Sequence, residues 1–346
     1  MSSSGKIKFA IIGAGVIAPL HAGAIRAHPE AELVAVADSV KEKAQKLANE
    51  YGVPFVYEHI GQLLEQCEVD AVCVCLPSGL HGEAVIAAAE AGKHVLCEKP
   101  LDITLKSMDA MIAACRNHKV KLATVFQKRT TELAIRTRQA VQQGKLGKLV
   151  LGDAYLKYYR SPEYYRSADW RGTWEIDGGG ALMNQGVHGV DIIRWIMGDV
   201  DSVFAYAAPL VRDIEVEDTA VAVVKYRNGA FGVIQGATSV NPGQEPRFEI
   251  HGEHGSIVYA DSGIKLWKTA DGEEPPVIAA AERRAEGSDN PHDISEDGHY
   301  MLLDDLIRAI REDREPLISG EEARKSVELI LAIYESARTG KEVKLL

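Results

Sequence analysis

The sequence predicts a doubly wound parallel α/β domain followed by an α+β domain built on a large, mostly antiparallel sheet. Three observations predict it. An apolar run from Ile7 to Ile12 leads into Gly13-Ala14-Gly15-Val16-Ile17-Ala18, a strand running into a glycine turn. Short apolar runs then alternate with helical segments as far as Phe126, the rhythm of a parallel sheet. From Lys148 the texture changes to longer segments of alternating polarity, with Asn228-Gly229 between two of them as a hairpin signal. The change of texture sets domains at 1–127 and 128–346, and 346 residues suffice for two cores.

Composition narrows the function classes. The apolar fraction of 46% supports packed cores, and a net charge of −11 argues against a nucleic-acid partner. The five cysteines (Cys67, Cys73, Cys75, Cys97 and Cys115) are odd in number and form neither a disulfide framework nor a zinc spacing. No metal site is expected, and a reducing compartment suits these thiols. Lys6 to Leu20 imitates a signal peptide, but Gly13, Gly15 and Pro19 interrupt its apolar run. The expectation is a cytoplasmic protein without a membrane segment.

The elements justify themselves in order. In the G-x-G-x-x-A turn, Gly13 permits the tight bend and Gly15 lets a pyrophosphate approach the backbone near Val16 and Ile17. The helix that follows offers free N–H groups to the phosphates, and Pro19 in its first turn is tolerated there. Leu33 to Ala37 is a second strand ending in Asp38, roughly 20 residues on as a dinucleotide fingerprint requires. Asp38 would accept hydrogen bonds from the adenosine ribose. Its charge repels a 2′-phosphate, and Ser39-Val40 supplies no Arg, so NAD is favoured over NADP.

Val40 to Tyr51 reads as helix, Val69 to Leu76 as strand, Pro77-Ser78-Gly79 as loop, and His81 to Ala91 as helix. His94 to Cys97 is a strand, Ser107 to His118 a helix, and Lys121 to Phe126 the last parallel strand, with Gln127 just past it. The loops after Leu76, Cys97 and Phe126 are expected on the same edge as the glycine turn, where ligands of such sheets bind. His81 lies in a first helical turn beside that edge, as a polar cap or a cofactor contact. Cys97-Glu98-Lys99-Pro100 ends a strand there, and Pro100 biases Lys99 toward extended backbone. A lone Glu-Lys-Pro reads as a surface ion pair; its neighbours in the fold decide otherwise.

The second half reads as strands at Leu149 to Tyr159, Val203 to Ala208, Ala220 to Tyr226, Phe231 to Ser239 and Arg247 to His251. One helical stretch interrupts them, Ala181 to Gly198, behind Gly178-Gly179-Gly180. Asn184 and His188 are four apart and share a face, and Asp191 reads as a structural partner of His188 or a local cap. Tyr158-Tyr159-Arg160 and Trp170-Arg171 offer aromatic faces and guanidinium forks suited to sugars. Glu217-Asp218-Thr219 reads as a strand start. A polar, acidic loop from Gly272 to Gly298 precedes an amphipathic helix, His299 to Ile310, and Glu321 to Ala337 is a closing helix.

The order of motifs (glycine fingerprint, Pro77-Ser78…His81, Glu98-Lys99-Pro100, then three glycines ahead of Asn184-x-x-x-His188-x-x-Asp191) resembles the Gfo/Idh/MocA family of glucose–fructose oxidoreductase and inositol dehydrogenase. The resemblance runs from about Ile7 to the last helix. It implies a Rossmann domain, a second domain with an open-faced sheet, and a homodimer or homotetramer. It also implies an NAD-dependent enzyme acting on a secondary alcohol of a sugar or sugar derivative, with C3 of a hexopyranoside as one site of oxidation. Lys99 and His188 carry over as the catalytic pair around the reacting carbinol. By their place on the cofactor edge, Glu98, Leu76 and Pro77 are candidate cofactor neighbours, and Gln127 is a candidate to reach the nicotinamide or the substrate. Asn184 and the region of His299 are placed by the resemblance beside the substrate, and Tyr159, Trp170 and Arg171 are substrate candidates by their aromatic and guanidinium character. Many relatives have Asp where this chain has Asn184; asparagine only hydrogen-bonds, so His188 is expected to be a weaker base and Lys99 to do more. An NAD-retaining glycosidase working through transient oxidation and a non-catalytic NAD sensor are the alternative readings.

Overall fold

Strands that are apolar on both faces need helices on both sides, and the first part of the chain supplies them. The computed structural model describes residues 5–277 and 296–345. In chain order it begins β1 (Ile7–Ile12), α1 (Ala18–Ala27), β2 (Ala31–Ala37), α2 (Lys41–Tyr51), β3 (Phe55–Tyr57) and α3 (Ile60–Gln66). Next come β4 (Ala71–Val74), α4 (His81–Glu90), β5 (His94–Cys97), α5 (Leu105–Asn117) and β6 (Leu122–Thr124). The six strands form one parallel sheet in the order β3-β2-β1-β4-β5-β6. All four residues of β4 and of β5 are buried, as a doubly covered sheet demands.

Five of these strands are legible as apolar runs. The sixth, β3, is an edge strand of three residues whose Phe55 is exposed. So short and half-wet a strand leaves no period to read.

The second part continues with α6 (Glu132–Gln142), β7 (Leu149–Lys157), α7 (Pro162–Arg166), a π-helical turn (Ala181–Gly186) and α8 (Val187–Met197). Then follow β8 (Val200–Ala208), β9 (Thr219–Tyr226), β10 (Phe231–Ala237), β11 (Arg247–Gly252), β12 (Ser256–Ala260) and β13 (Gly263–Lys268). The chain closes with α9 (Glu296–Glu312), α10 (Gly320–Thr339) and the short β14 (Val343–Lys344). Eight strands make the second sheet, β13-β12-β11-β7-β10-β9-β8-β14, antiparallel at every pair except β7 with β10. Strict alternation in β9 buries Ala220, Ala222 and Val224 and exposes Val221, Val223 and Lys225. One face is therefore packed, and the other carries Tyr206, Val221 and Val223 outward.

The chain separates into two compact units, residues 5–127 with 296–324 and residues 128–277 with 325–345. The amphipathic α9 thus joins the first unit, where Asp304 meets His28 at 3.3 Å. Most of the expected acidic loop, residues 278–295, lies outside the described residues. Among the described residues no helix is long and apolar enough to cross a membrane.

Candidate functional site

In the first unit the site begins at the glycine turn after β1. Gly13 has φ +94°, and a Cβ on it would sit 2.7 Å from the Cys75 carbonyl oxygen, so only glycine fits. Gly15 faces open space, and Val16 beside it is 63% exposed. No side chain caps α1, whose second residue is Pro19. This is a cradle into which a phosphate fits and a side chain would intrude. At the end of β2, Asp38 accepts Ala14 N–H through Oδ2 at 2.7 Å and Val40 N–H through Oδ1 at 2.8 Å. Each oxygen keeps a lone pair for a ribose hydroxyl. Ser39 is exposed beside it, and Lys41 is paired with Glu58 at 2.9 Å, so neither neutralises a phosphate at Asp38.

The same sheet edge holds Glu98 and Lys99 after β5, with half-buried Leu76 and Pro77 after β4 and buried Gln127 beyond β6. Glu98 Oε1 accepts from His21 Nε2 of α1 at 2.8 Å and from His299 Nε2 of α9 at 3.1 Å. Its Oε2 accepts the Lys99 backbone N–H at 3.2 Å. Burial pushes the Glu98 carboxyl up, but the two imidazole donors outweigh it and hold the group well below the usual range. Burial pushes His21 down, against the pull of Glu98. An ionised carboxylate thus ties α1, β5 and α9 together and fixes the backbone at Lys99.

His81 is buried, its Nδ1 facing the Pro100 carbonyl and its Nε2 facing the Leu76 carbonyl, both at 2.8 Å. A carbonyl only accepts, so the ring braces the loops after β4 and β5 through one or both N–H groups. Asp102 adds to this corner by accepting Gly82 N–H at 3.1 Å and Ile103 N–H at 2.7 Å.

In the second unit the triple glycine opens the π-helical turn. A Cβ on Gly180 would lie 2.0 Å from the Glu217 carbonyl oxygen. Both Asn184 N–H and Gln185 N–H point at the Gly180 carbonyl, at 3.2 and 3.4 Å, which widens the turn before α8 begins. Half-buried His188 lies in the first turn of α8. Asn184 donates to the buried carboxylate of Asp177, which also accepts Gly172 N–H at 2.8 Å. The Asn184 side-chain oxygen accepts Gln185 Nε2 at 2.7 Å, and Gln185 Nε2 also reaches Tyr164 Oη at 2.8 Å. Arg171 Nη1 meets the same hydroxyl at 2.6 Å and stacks on the rings of Tyr164 and Trp170. Tyr159 lies just past β7, under the guanidinium of Arg212.

The units thus divide the predicted residues. Gly13, Gly15, Val16, Ile17, Asp38, Ser39, Leu76, Pro77, His81, Glu98, Lys99, Gln127 and His299 belong to the first, and Tyr159, Trp170, Arg171, Asn184 and His188 to the second. Asp191 is structural but not as read. It is fully buried against Arg129, with contacts of 2.7 and 2.6 Å, and accepts Ser326 Oγ at 2.6 Å, so its partner is a guanidinium rather than His188. Two further residues support the site without a signal in the sequence that marks them for it. His21 sits mid-helix among alanines with nothing local to mark it. Glu217 is buried and accepts Gly180 N–H, Leu182 N–H and Tyr334 Oη–H at 2.9, 2.8 and 2.8 Å. Burial drives its carboxyl up to about 7 despite those donors.

A parallel sheet with a glycine cradle, an aspartate at the end of its second strand and a lysine on the same edge defines an NAD-linked oxidoreductase. Comparison with known proteins agrees: residues 7–126 match the oxidoreductase family model with NAD-binding Rossmann fold, and residues 135–258 match the GFO/IDH/MocA C-terminal domain. The chain belongs to the Gfo/Idh/MocA oxidoreductase family. It is 30% identical to the myo-inositol 2-dehydrogenase of Thermotoga maritima over 98% of both chains. The D-glucoside 3-dehydrogenase of Escherichia coli is 29% identical over 99% of both. The crystal structure of the WlbA dehydrogenase from Bordetella pertussis, in complex with NADH and UDP-GlcNAcA, is 36% identical, with a TM-score of 0.88 and 99% of each chain covered.

Proposed function

We propose that this enzyme is an NAD-dependent dehydrogenase that oxidises a secondary alcohol on a pyranose sugar or sugar derivative, with C3 as the carbon attacked. The observation that carries the reading is Lys99, whose backbone is pinned by a buried, ionised Glu98 on the edge that holds the glycine cradle. When bound, the nicotinamide supplies the hydride acceptor; Gly13, Gly15, Val16, Ile17 and Asp38 hold the dinucleotide. His188 removes the hydroxyl proton, the Lys99 ammonium stabilises the alkoxide that develops, and Asn184, fixed by Asp177, orients the sugar hydroxyls. The glucoside 3-dehydrogenase and WlbA relatives support a hexopyranose ring over a cyclitol.

The exposed sheet face with Tyr206, Val221 and Val223 supports association of copies as a homodimer or homotetramer, which light scattering on a sizing column tests. Five unbonded, buried cysteines support a cytoplasmic setting. The decisive experiment follows NADH absorbance over a panel of glycosides and nucleotide sugars. Lys99→Ala and His188→Ala are each expected to cut kcat by about a hundred- to ten-thousand-fold while NAD still binds. Near-normal kcat in Lys99→Ala would refute the assignment.

A further inference from the structure

We propose that Arg171 and Arg212 form a site for an anionic group of the substrate. The proposal rests on the sugar-dehydrogenase reading and names its substrate class, a sugar bearing a carboxylate or a phosphate.

In an acidic chain most guanidinium groups find a carboxylate, as Arg116 does with Glu321 and Arg136 with Glu132. Arg171 and Arg212 find none among the described residues. Arg171 is held by neutral groups instead: Nε donates to Ser167 Oγ at 3.1 Å and Nη1 to Tyr164 Oη at 2.6 Å. Its guanidinium carbon lies 4.3 Å from the Tyr164 ring centre and 4.5 Å from that of Trp170. Stacking fixes the plane of the fork and strips water from its faces, yet leaves its charge uncancelled. Two of its five N–H donors are used, so an edge stays open for a bidentate oxyanion.

Arg212 repeats the pattern on Tyr159, 5.3 Å from the ring centre. Its Nε is buried and has no acceptor among the described residues. A buried donor left unpaired costs about 1–3 kcal/mol, which an incoming oxyanion removes. Three of the neighbouring carboxylates are committed elsewhere: Glu163 to Arg166, Glu215 to the Trp174 N–H, and Asp218 to the N–H groups of Leu210, Val211 and Arg212.

Arg160 links the two positions to the chemistry. Its Nη1 donates to the Tyr159 carbonyl at 2.7 Å and its Nε to Gln185 Oε1 at 3.0 Å. Gln185 in turn bonds Asn184 and Tyr164. Arg171 therefore shares one hydrogen-bonded network with Asn184, four residues ahead of His188, and Arg212 adjoins that network through the ring of Tyr159, whose carbonyl Arg160 holds.

A uronic carboxylate and a nucleotide diphosphate offer the same chemistry, and four probes separate them. UDP-GlcNAcA carries both groups, UDP-GlcNAc only the diphosphate, free N-acetylglucosaminuronic acid only the carboxylate, and methyl glucoside neither. Wild type, Arg171→Met and Arg212→Met are compared for kcat/KM by NADH formation and for binding by calorimetry. The expected result is a ratio of kcat/KM, charged probe over methyl glucoside, that falls about ten- to a hundredfold in each Met variant, with Arg171→Lys partly restoring it. The probe whose ratio collapses names the source of the anion. Equal losses on all four probes overturn the proposal, as does a wild type that prefers the neutral glucoside. Should no probe yield NADH while UDP-GlcNAcA binding is still lost in the variants, the dehydrogenase reading fails and the anion site stands.

Discussion

His299 Nε2 bonds Glu98 Oε1 at 3.1 Å across 201 residues of sequence, and both side chains are buried. With His21 on the same oxygen, Glu98 is a buried charge satisfied from two helices. Removing it strands two imidazole donors and frees the Lys99 backbone. Glu98→Ala is expected to lower unfolding free energy by about 3 kcal/mol, with Glu98→Gln falling between it and wild type. Urea titration measures this. A double-mutant cycle of Glu98→Ala with His299→Ala should show coupling of about 1–3 kcal/mol, and strict additivity would mean that the contact is idle.

Arg129 and Asp191 make the second buried charge relationship, two contacts of 2.7 and 2.6 Å with both side chains about 1% exposed. Ser326 completes the carboxylate. Cutting one partner leaves the other charge in the core. Arg129→Met or Asp191→Leu alone is expected to cost about 3–5 kcal/mol, and the double apolar exchange less than either single change. Thermal and urea unfolding of the three variants decide it.

Much of this architecture was legible, and the reasons differ by element. The glycine turn, Asp38 and the strand–helix alternation could be read because each is local, with the period of the apolar residues showing through. The antiparallel β9–β10 hairpin was legible from Asn228-Gly229. Strands β12 and β13 and helix α6 were not read, although Thr131 caps α6 through Ala134 N–H. The site's motifs were also legible, but not their supports. His21, Glu98 and His299 meet only after three separate elements pack together. Glu217 looks like a surface acid before a strand, and only folding shows it gripping the glycine turn from behind.

Asp38 is expected to set the choice of cofactor by charge and by position. It is fixed beside the glycine loop by Ala14 and Val40 N–H groups, and the neighbouring Lys41 is already paired with Glu58 rather than left to meet a 2′-phosphate. Replacing it with Ser removes the repulsion and one ribose acceptor. Asp38→Ser is expected to raise the KM for NAD about tenfold and to lift the NADP-to-NAD ratio of kcat/KM by a similar factor. Steady-state kinetics with each cofactor provides the check; an unchanged ratio would remove Asp38 from the discrimination.

Glu217 makes stability depend on pH with a definite sign. Burial raises its carboxyl from an ordinary value of 4.5 to about 7 in the folded chain, against the pull of Leu182, Gly180 and Tyr334. The folded state therefore holds this proton more tightly than the unfolded state does. Its contribution is fully present below pH 4.5, is lost as pH rises toward 7, and changes no further above that. The gap between the two values amounts to about 3 kcal/mol. Glu217→Gln lacks the proton and should lack the slope. Urea unfolding at half-unit steps from pH 4.5 to 8, wild type against Glu217→Gln, isolates the effect from every other titrating group. The difference in unfolding free energy between them should drift against wild type up to pH 7 and then level. A difference that stays constant, or that drifts the other way, would mean that the carboxyl grips the Gly180 and Leu182 N–H groups as an ordinary anion. The π-helical turn leading to His188 would then be held equally at every pH.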